Sequence, residues 1–367
     1  MLIQHFKLAA RLDGEELALL NMSKALQRLG IDPIIIAQEG VEEHEVFEGV
    51  EVFGTGPGPY GLTSLTRRIE LDRSLEFSVI HSHEERRTFL HGFLKLGTPL
   101  VVHYHNPLSV QPRSVGRFMA SMKVADRIFV PSAWVAKVLS SSLRVPPRKI
   151  SVIHNGVDTQ LFQRRKDTED LRKYGIPEEG SVIQFVGRCS PVKGIMSLVR
   201  AIPVVLREFP GTRFIFVGVQ PREDFHQDSY YARILQEVNT LGITRSCTFL
   251  PFLNQRDLPQ FYSRATITVV PSIMEAFGQT VVESLSCGTP VIATRVGGLP
   301  EIVTEAVGSL VPVNDSTALA NSILKLLRNE ELRIRMGVSG RMLVEKSFTW
   351  ESTAKKIKQE YLELVAA

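Results

Sequence analysis

The chain has 367 residues, 44% of them hydrophobic and 22% charged, and its 43 basic and 39 acidic side chains leave a formal net charge of +4. That is a globular composition with enough length for two cores, and the mild charge argues against nucleic-acid binding, which needs a concentrated basic face. The three cysteines, Cys189, Cys247 and Cys287, are odd in number and follow no metal-ligand spacing, so a reduced, cytoplasmic setting is expected.

Taken in chain order, strand-like runs alternate with helical ones. LIQHFKL (2–8) leads into an amphipathic stretch to Leu29, followed by DPIIIA (32–37), FSVIH (77–81), PLVVHY (99–104), DRIFV (126–130) and KISVIH (149–154). Such alternation specifies a parallel sheet covered by helices. The opening MLIQHFKLAARLDGEE turns acidic before a signal-peptide core develops, and no apolar run approaches membrane-spanning length. Peripheral attachment to the inner face of a membrane has one candidate: Val115 to Val124 sets Phe118, Met119 and Met122 at helical spacing among Arg117 and Lys123. A stripe of that kind more often packs on a core.

Two local patterns invite over-reading. GPGPYG (56–61) matches G-x-G-x-x-G after the short run VEVF, but Pro57 and Pro59 stiffen it and no helix opens from it, so it reads as a connecting loop. His81 with His83, and His103 with His105, are spaced to share a strand face. A metal could be held that way, but HxH pairs without cysteine or carboxylate ligands nearby are more often hydrogen-bonded residues, and no metal is expected.

After HNGVD (154–158) the chain turns polar and charged (159–180) before a second alternating series begins at Ser181, so the domain junction falls about Gly156 to Glu178. SVIQFVG (181–187) reads as a buried strand that runs into Arg188, a turn at Pro191, then Lys193 and Gly194 before a helix. Arg offers a planar fork and Lys a mobile point charge, so the two together can neutralise a diphosphate. ATITVV (265–270) is a second buried strand, ended by Pro271 and Ser272, with a helix from Gly278 onward. A helix N-terminus at a strand's carboxyl end offers N–H groups and positive dipole to an anion. Glu275 and Glu283 stand eight positions apart here, about 12 Å if the span were wholly helical. Ionised carboxylates suit a hydroxyl-rich ligand of that length. Taken alone, such a pair is more often just a loop carboxylate and a solvated helix residue.

Together GRCSPVKG (187–194), EAFGQTVVE (275–283) and CGTPVIATRVGGLPEIV (287–303) resemble the donor-binding half of the retaining glycosyltransferases of family 4. The likeness continues through TRFIFVG (212–218), PFLNQRDL (251–258) and FTWESTAKKIKQEYLEL (348–364), and more loosely through VVHYHN (101–106) and ISVIHNGVD (150–158). It implies an α/β protein of GT-B fold, with two Rossmann-like domains facing each other across a cleft: 1–157 for the acceptor, 158–347 for the donor, and a C-terminal helix, 348–367, returning to the first. By the same resemblance Glu275 contacts the donor sugar's hydroxyls, Glu283 the ribose hydroxyls, and Arg188 with Lys193 the diphosphate. Ala276, Phe277, Gly278, Gln279 and Thr280 complete the donor-binding stretch, and His105 lies beside the donor sugar. The family's glycine-rich turn is represented by Asp13, Gly14 and Glu15, which leaves a backbone contact by Gly14.

The implied activity is retaining transfer of a hexose-type sugar from a nucleoside-diphosphate sugar, a UDP-sugar first and a GDP-sugar next. The acceptor hydroxyl belongs to a saccharide, a lipid-linked saccharide or a small molecule. No cofactor or metal is expected, since no Asp-x-Asp pair stands at a strand end. A nucleotide-sugar epimerase, a sugar phosphorylase and a non-catalytic nucleotide-sugar-binding protein are the alternatives.

Overall fold

A computed structural model describes residues 2–7, 14–39, 44–54, 78–83, 98–105, 115–166, 169–220 and 228–366. GPGPYG, Asp13 and Asn106 lie outside them. The chain forms two compact units, Met1–Gly156 with Trp350–Ala367, and Val157–Thr349. It crosses between them at 156/157 and 349/350, against 157/158 and 347/348 read from the sequence.

The first unit holds β1 (Leu2–Lys7), β2 (Ile34–Glu39), β3 (His44–Phe47), β4 (Val50–Gly54), β5 (Ile80–Ser82), β6 (Leu100–His103), β7 (Arg127–Val130) and β8 (Ile150–Val152). They form one sheet in the order β3-β4-β2-β1-β5-β6-β7-β8, parallel except where β3 meets β4. β5 and β6 are buried along their whole length, as strands covered on both faces must be. Helix Trp350–Ala366 sets Trp350, Ala354, Ile357 and Tyr361 on one stripe against Leu19, Leu20 and Leu26 of helix Gly14–Arg28. Burying each large apolar side chain there contributes about 1.5–3 kcal/mol. This stripe seats the last helix on the first unit, and Thr353 Oγ1 donates to the His154 carbonyl at 2.9 Å to hold the crossover. Val115–Val124 is helical, and Met122 is buried and Met119 partly so, which places that part of the candidate membrane face in the core.

The second unit holds β9 (Val182–Val186), β10 (Arg213–Val217), β11 (Cys247–Leu250), β12 (Ile267–Val270), β13 (Val291–Thr294) and β14 (Gly308–Val311). Their order is β11-β10-β9-β12-β13-β14, and every pair is parallel. The apolar runs of β12 and β13 are fully buried. Strand order grows outward from β9 in both directions, so the connections leaving β9 and β12 diverge and open a crevice at their carboxyl ends. All three cysteines are free, and burial raises their thiols to about 11 for Cys189 and about 12 for Cys247 and Cys287, which leaves them protonated and unreactive at neutral pH.

Candidate functional site

The residues singled out from the second half of the sequence converge on that switch point. Beyond β9 the chain passes Gly187 and the exposed Arg188 into a 3-10 turn, Pro191–Lys193. Beyond β12, residues 271–278 form a loop that enters helix Gln279–Ser286. The two connections are joined directly: Ile273 N donates to the Val192 carbonyl at 2.8 Å. Gly194 sits at φ +65° with its backbone so near Pro271 that a Cβ would fall 1.9 Å from the Pro271 oxygen, a place open only to glycine.

This packing brings Lys193 to Glu275. Lys193 Nζ donates to Glu275 Oε2 at 2.8 Å, and Ser272 Oγ donates to the same oxygen at 3.2 Å. The Glu275 backbone is held from the other side. Gly298 N donates to its carbonyl at 3.0 Å, and a Cβ on Gly297, at φ +55°, would lie 1.7 Å from that oxygen. The glycine pair after β13 therefore clamps the loop. Phe277 buries its ring against Phe348, with centroids 6.0 Å apart, which leaves its backbone as the part that could face the crevice. Gly278 brings no capping side chain to the helix it opens, and the dipole of the first turn stays directed at the crevice.

Glu283 differs from the solvated residue that the sequence allowed. It is 6% exposed, and Tyr262 Oη donates to its Oε2 at 2.7 Å. Burial raises its carboxyl from 4.5 to about 7, opposed by hydrogen bonds from Tyr262, Gln279 and Gln255. A carboxyl so placed accepts hydroxyl protons more strongly once ionised, and it changes state near neutral pH. Residues 275–278 are not helical, so the 12 Å rise of an unbroken helix does not describe the Glu275–Glu283 spacing.

The helix carrying Glu283 is anchored by polar groups beneath it. Ser284 Oγ donates to Thr268 Oγ1 at 2.7 Å, and Gln184 Nε2 reaches the same oxygen at 2.9 Å from β9. Thr280 Oγ1 contacts the Val186 carbonyl at 3.4 Å. At the far end, Arg341 Nη1 donates to the Ser286 and Phe162 carbonyls, each at 2.8 Å, where a cation also suits the helix dipole. Tyr262, Ser272, Gln255, Gly297 and Arg341 were not singled out from sequence. Tyr262, Gln255, Gly297 and Arg341 act on residues distant along the chain, which no local pattern marks, whereas Ser272 lies only three positions from the Glu275 it contacts.

In the first unit, Gly14 opens helix Gly14–Arg28. The two histidine pairs, read separately from sequence, come together at the ends of β5 and β6. His83 Nδ1 and His105 Nε2 are 2.8 Å apart, and the His103 and His105 rings stack at 4.2 Å. Burial drives His81 down to about 3 and His103 well below the ordinary imidazole value, with His105 adding to both shifts. These two rings are neutral at physiological pH.

Two Rossmann-like units, one with a basic strand-end turn and a carboxylate-bearing helix at its switch point, define the GT-B class of glycosyltransferases. The sequence matches Glycosyl transferases group 1 over residues 166–342 and Glycosyltransferase Family 4 over residues 12–161. It is 30% identical to a D-inositol 3-phosphate glycosyltransferase of Mycobacteroides abscessus, over 91% of this chain and 78% of that one. The protein of that name from Thermobifida fusca is 28% identical over 95% and 88%. Sucrose-phosphate synthase from Thermosynechococcus elongatus superposes with a TM-score of 0.81 at 22% identity, covering 100% of this chain and 98% of the other. Anabaena HepE, solved in complex with UDP, does so at 0.81 and 20%, covering 99% of each. The chain belongs to the family 4 glycosyltransferases. Among the described residues no helix is long and apolar enough to cross a membrane.

Proposed function

We propose that this glycosyltransferase moves a hexose-type sugar from a nucleoside-diphosphate sugar to an acceptor hydroxyl with retention of anomeric configuration, needing no divalent cation at the diphosphate. The observation that carries the proposal is the Lys193–Glu275 contact between two strand-end loops, with Arg188 on the first of them and Glu283 buried on the helix that follows the second. In this reading Arg188, Lys193 and the helix N-terminus bind the diphosphate and stabilise charge as it departs. Glu283 accepts from the ribose hydroxyls, and Glu275 from the donor sugar. The Lys193–Glu275 contact holds both side chains in position until the donor takes its share of the ammonium.

The reaction breaks the bond from the anomeric carbon to the diphosphate oxygen and forms one to the acceptor oxygen on the same face. The acceptor's proton passes to the departing phosphate oxygen. The two carboxylates are assigned to binding, Glu275 being engaged by Lys193 and Glu283 buried against Tyr262. UDP-sugars head the donors to be tried, with GDP-sugars next. The curated relatives' name puts an inositol phosphate first among acceptors, ahead of saccharides and lipid-linked saccharides.

The test is release of free nucleoside diphosphate from each donor with and without acceptor, with the product's anomeric configuration read by NMR. Acceptor-dependent release and a retained anomer support the proposal. Donor binding without turnover on any acceptor favours the sugar-nucleotide-binding alternative, and turnover that requires inorganic phosphate favours a phosphorylase.

A further inference from the structure

His81, His83 and His103 of the first unit form a cluster to which the transfer reaction assigns no role. β5 and β6 are parallel neighbours with His81 opposite Val101 and Ser82 opposite Val102, so His81, His83, His103 and His105 project from one face of the sheet. The rings of His81, His83 and His103 have centroids 4.6, 4.9 and 5.3 Å apart, and one nitrogen from each lies within 4.8 Å of the other two. His81 and His103 are 0% and 2% exposed.

One nitrogen of His81 and one of His83 are engaged. His81 Nδ1 is 2.6 Å from the Tyr361 hydroxyl, and His83 Nδ1 is 2.8 Å from His105 Nε2. Among the described residues, His81 Nε2 and both nitrogens of His103 lack a hydrogen-bond partner. Each such buried polar atom is costly, and apolar side chains would fill the same space without that cost.

We propose that His81, His83 and His103 bind one transition-metal ion of the zinc and cobalt(II) class. An all-imidazole set favours such ions over magnesium, manganese and calcium, which prefer oxygen. At metal–nitrogen lengths of about 2.0–2.1 Å a tetrahedral ion holds its nitrogens roughly 3.4 Å apart, so the three rings draw together slightly on binding. Tyr361 and His105 then occupy the outer positions that fix ring orientation in histidine metal sites. The fourth ligand is a water or a further protein atom. These ligands belong to the first unit, whereas Arg188, Lys193, Glu275 and Glu283 belong to the second, so the ion's ligand set shares no residue with the groups assigned to the diphosphate.

The experiment titrates cobalt(II) into tag-free, chelator-treated full-length protein and reads the visible ligand-field bands. Expected are one ion per chain, a spectrum of tetrahedral or five-coordinate intensity, displacement by zinc, and no displacement by excess magnesium or manganese. His103→Gln and His83→Gln should each weaken binding at least about tenfold, while His44→Gln, an exposed histidine outside the cluster, should not. Circular dichroism and a cooperative melt verify the fold of each variant, and the partly exposed His83 supplies the test if His103→Gln does not fold. No saturable binding, or binding unchanged by the cluster substitutions, overturns the proposal and leaves a stacked histidine column.

Discussion

Glu283→Gln separates the energetic cost of the buried carboxyl from its use. Folding raises this group from 4.5 to about 7, burial being the main cause. A raised folded-state value means that the native protein favours the protonated form. The contribution to stability is therefore whole below pH 4.5, declines as pH rises through the window to about 7, and is level above it. At about 1.4 kcal/mol per pH unit, that window is worth up to about 3 kcal/mol. Glutamine keeps the size and an oxygen for the Tyr262 hydroxyl but does not titrate. Urea unfolding of both proteins at pH 5, 6, 7 and 8 should show the variant gaining on the wild type as pH rises, most steeply between 5 and 7 and little above that. Other titrating groups cancel in the difference. Nucleoside-diphosphate affinity should move the opposite way, falling about tenfold at pH 8, because a neutral amide oxygen accepts hydroxyl hydrogens more weakly than a carboxylate. Parallel stability curves across this range would refute the reasoning.

Arg188→Ala and Lys193→Ala should each weaken nucleoside-diphosphate binding by about 1.5–3 kcal/mol, the worth of a charge-assisted contact; calorimetry with the bare diphosphate reads this, and unchanged affinity in both removes them from the site. Gly297→Ala places a methyl group against the Glu275 carbonyl and asks an alanine to hold φ +55°, so it should destabilise the protein by at least about 1 kcal/mol and slow turnover, measured by thermal melt and initial rate. His105→Ala should slow transfer while leaving diphosphate affinity intact, and equal transfer rates would sink its assignment to the transferred sugar. Initial rates should be indifferent to added magnesium or manganese, because the cationic work on the diphosphate is assigned to side chains and a helix terminus.

The legible part of the site was the part that is local in the chain. Arg188 and Lys193 follow one apolar run within a turn of each other, and Glu275 lies between a strand and a helix, so chain order alone puts them at strand ends. Glu283 was placed on its helix but not in its environment. Whether a helical carboxylate faces water or a core depends on what packs over it, here Tyr262, which is 21 positions earlier. The histidines show the same divide. HxH spacing sets each pair on one strand face, but only the adjacency of β5 and β6 merges the pairs into one cluster.

What the sequence by itself determined is periodic or contiguous: the alternation of apolar runs and amphipathic stretches, the polar junction after Asp158, the strand-end turns and the glycines within them. Those features follow from backbone sterics and side-chain period, which act over a few residues. Only the tertiary structure decided the strand order that puts β9 beside β12, the closure of Gly297 on Glu275, and the burial that raises Glu283. It also decided the seating of the last helix on the first unit, through Trp350, Ala354, Ile357 and Tyr361. Each of these joins residues far apart along the chain. Their energy comes from excluding water and matching partners across that separation, and no local pattern encodes which partners meet.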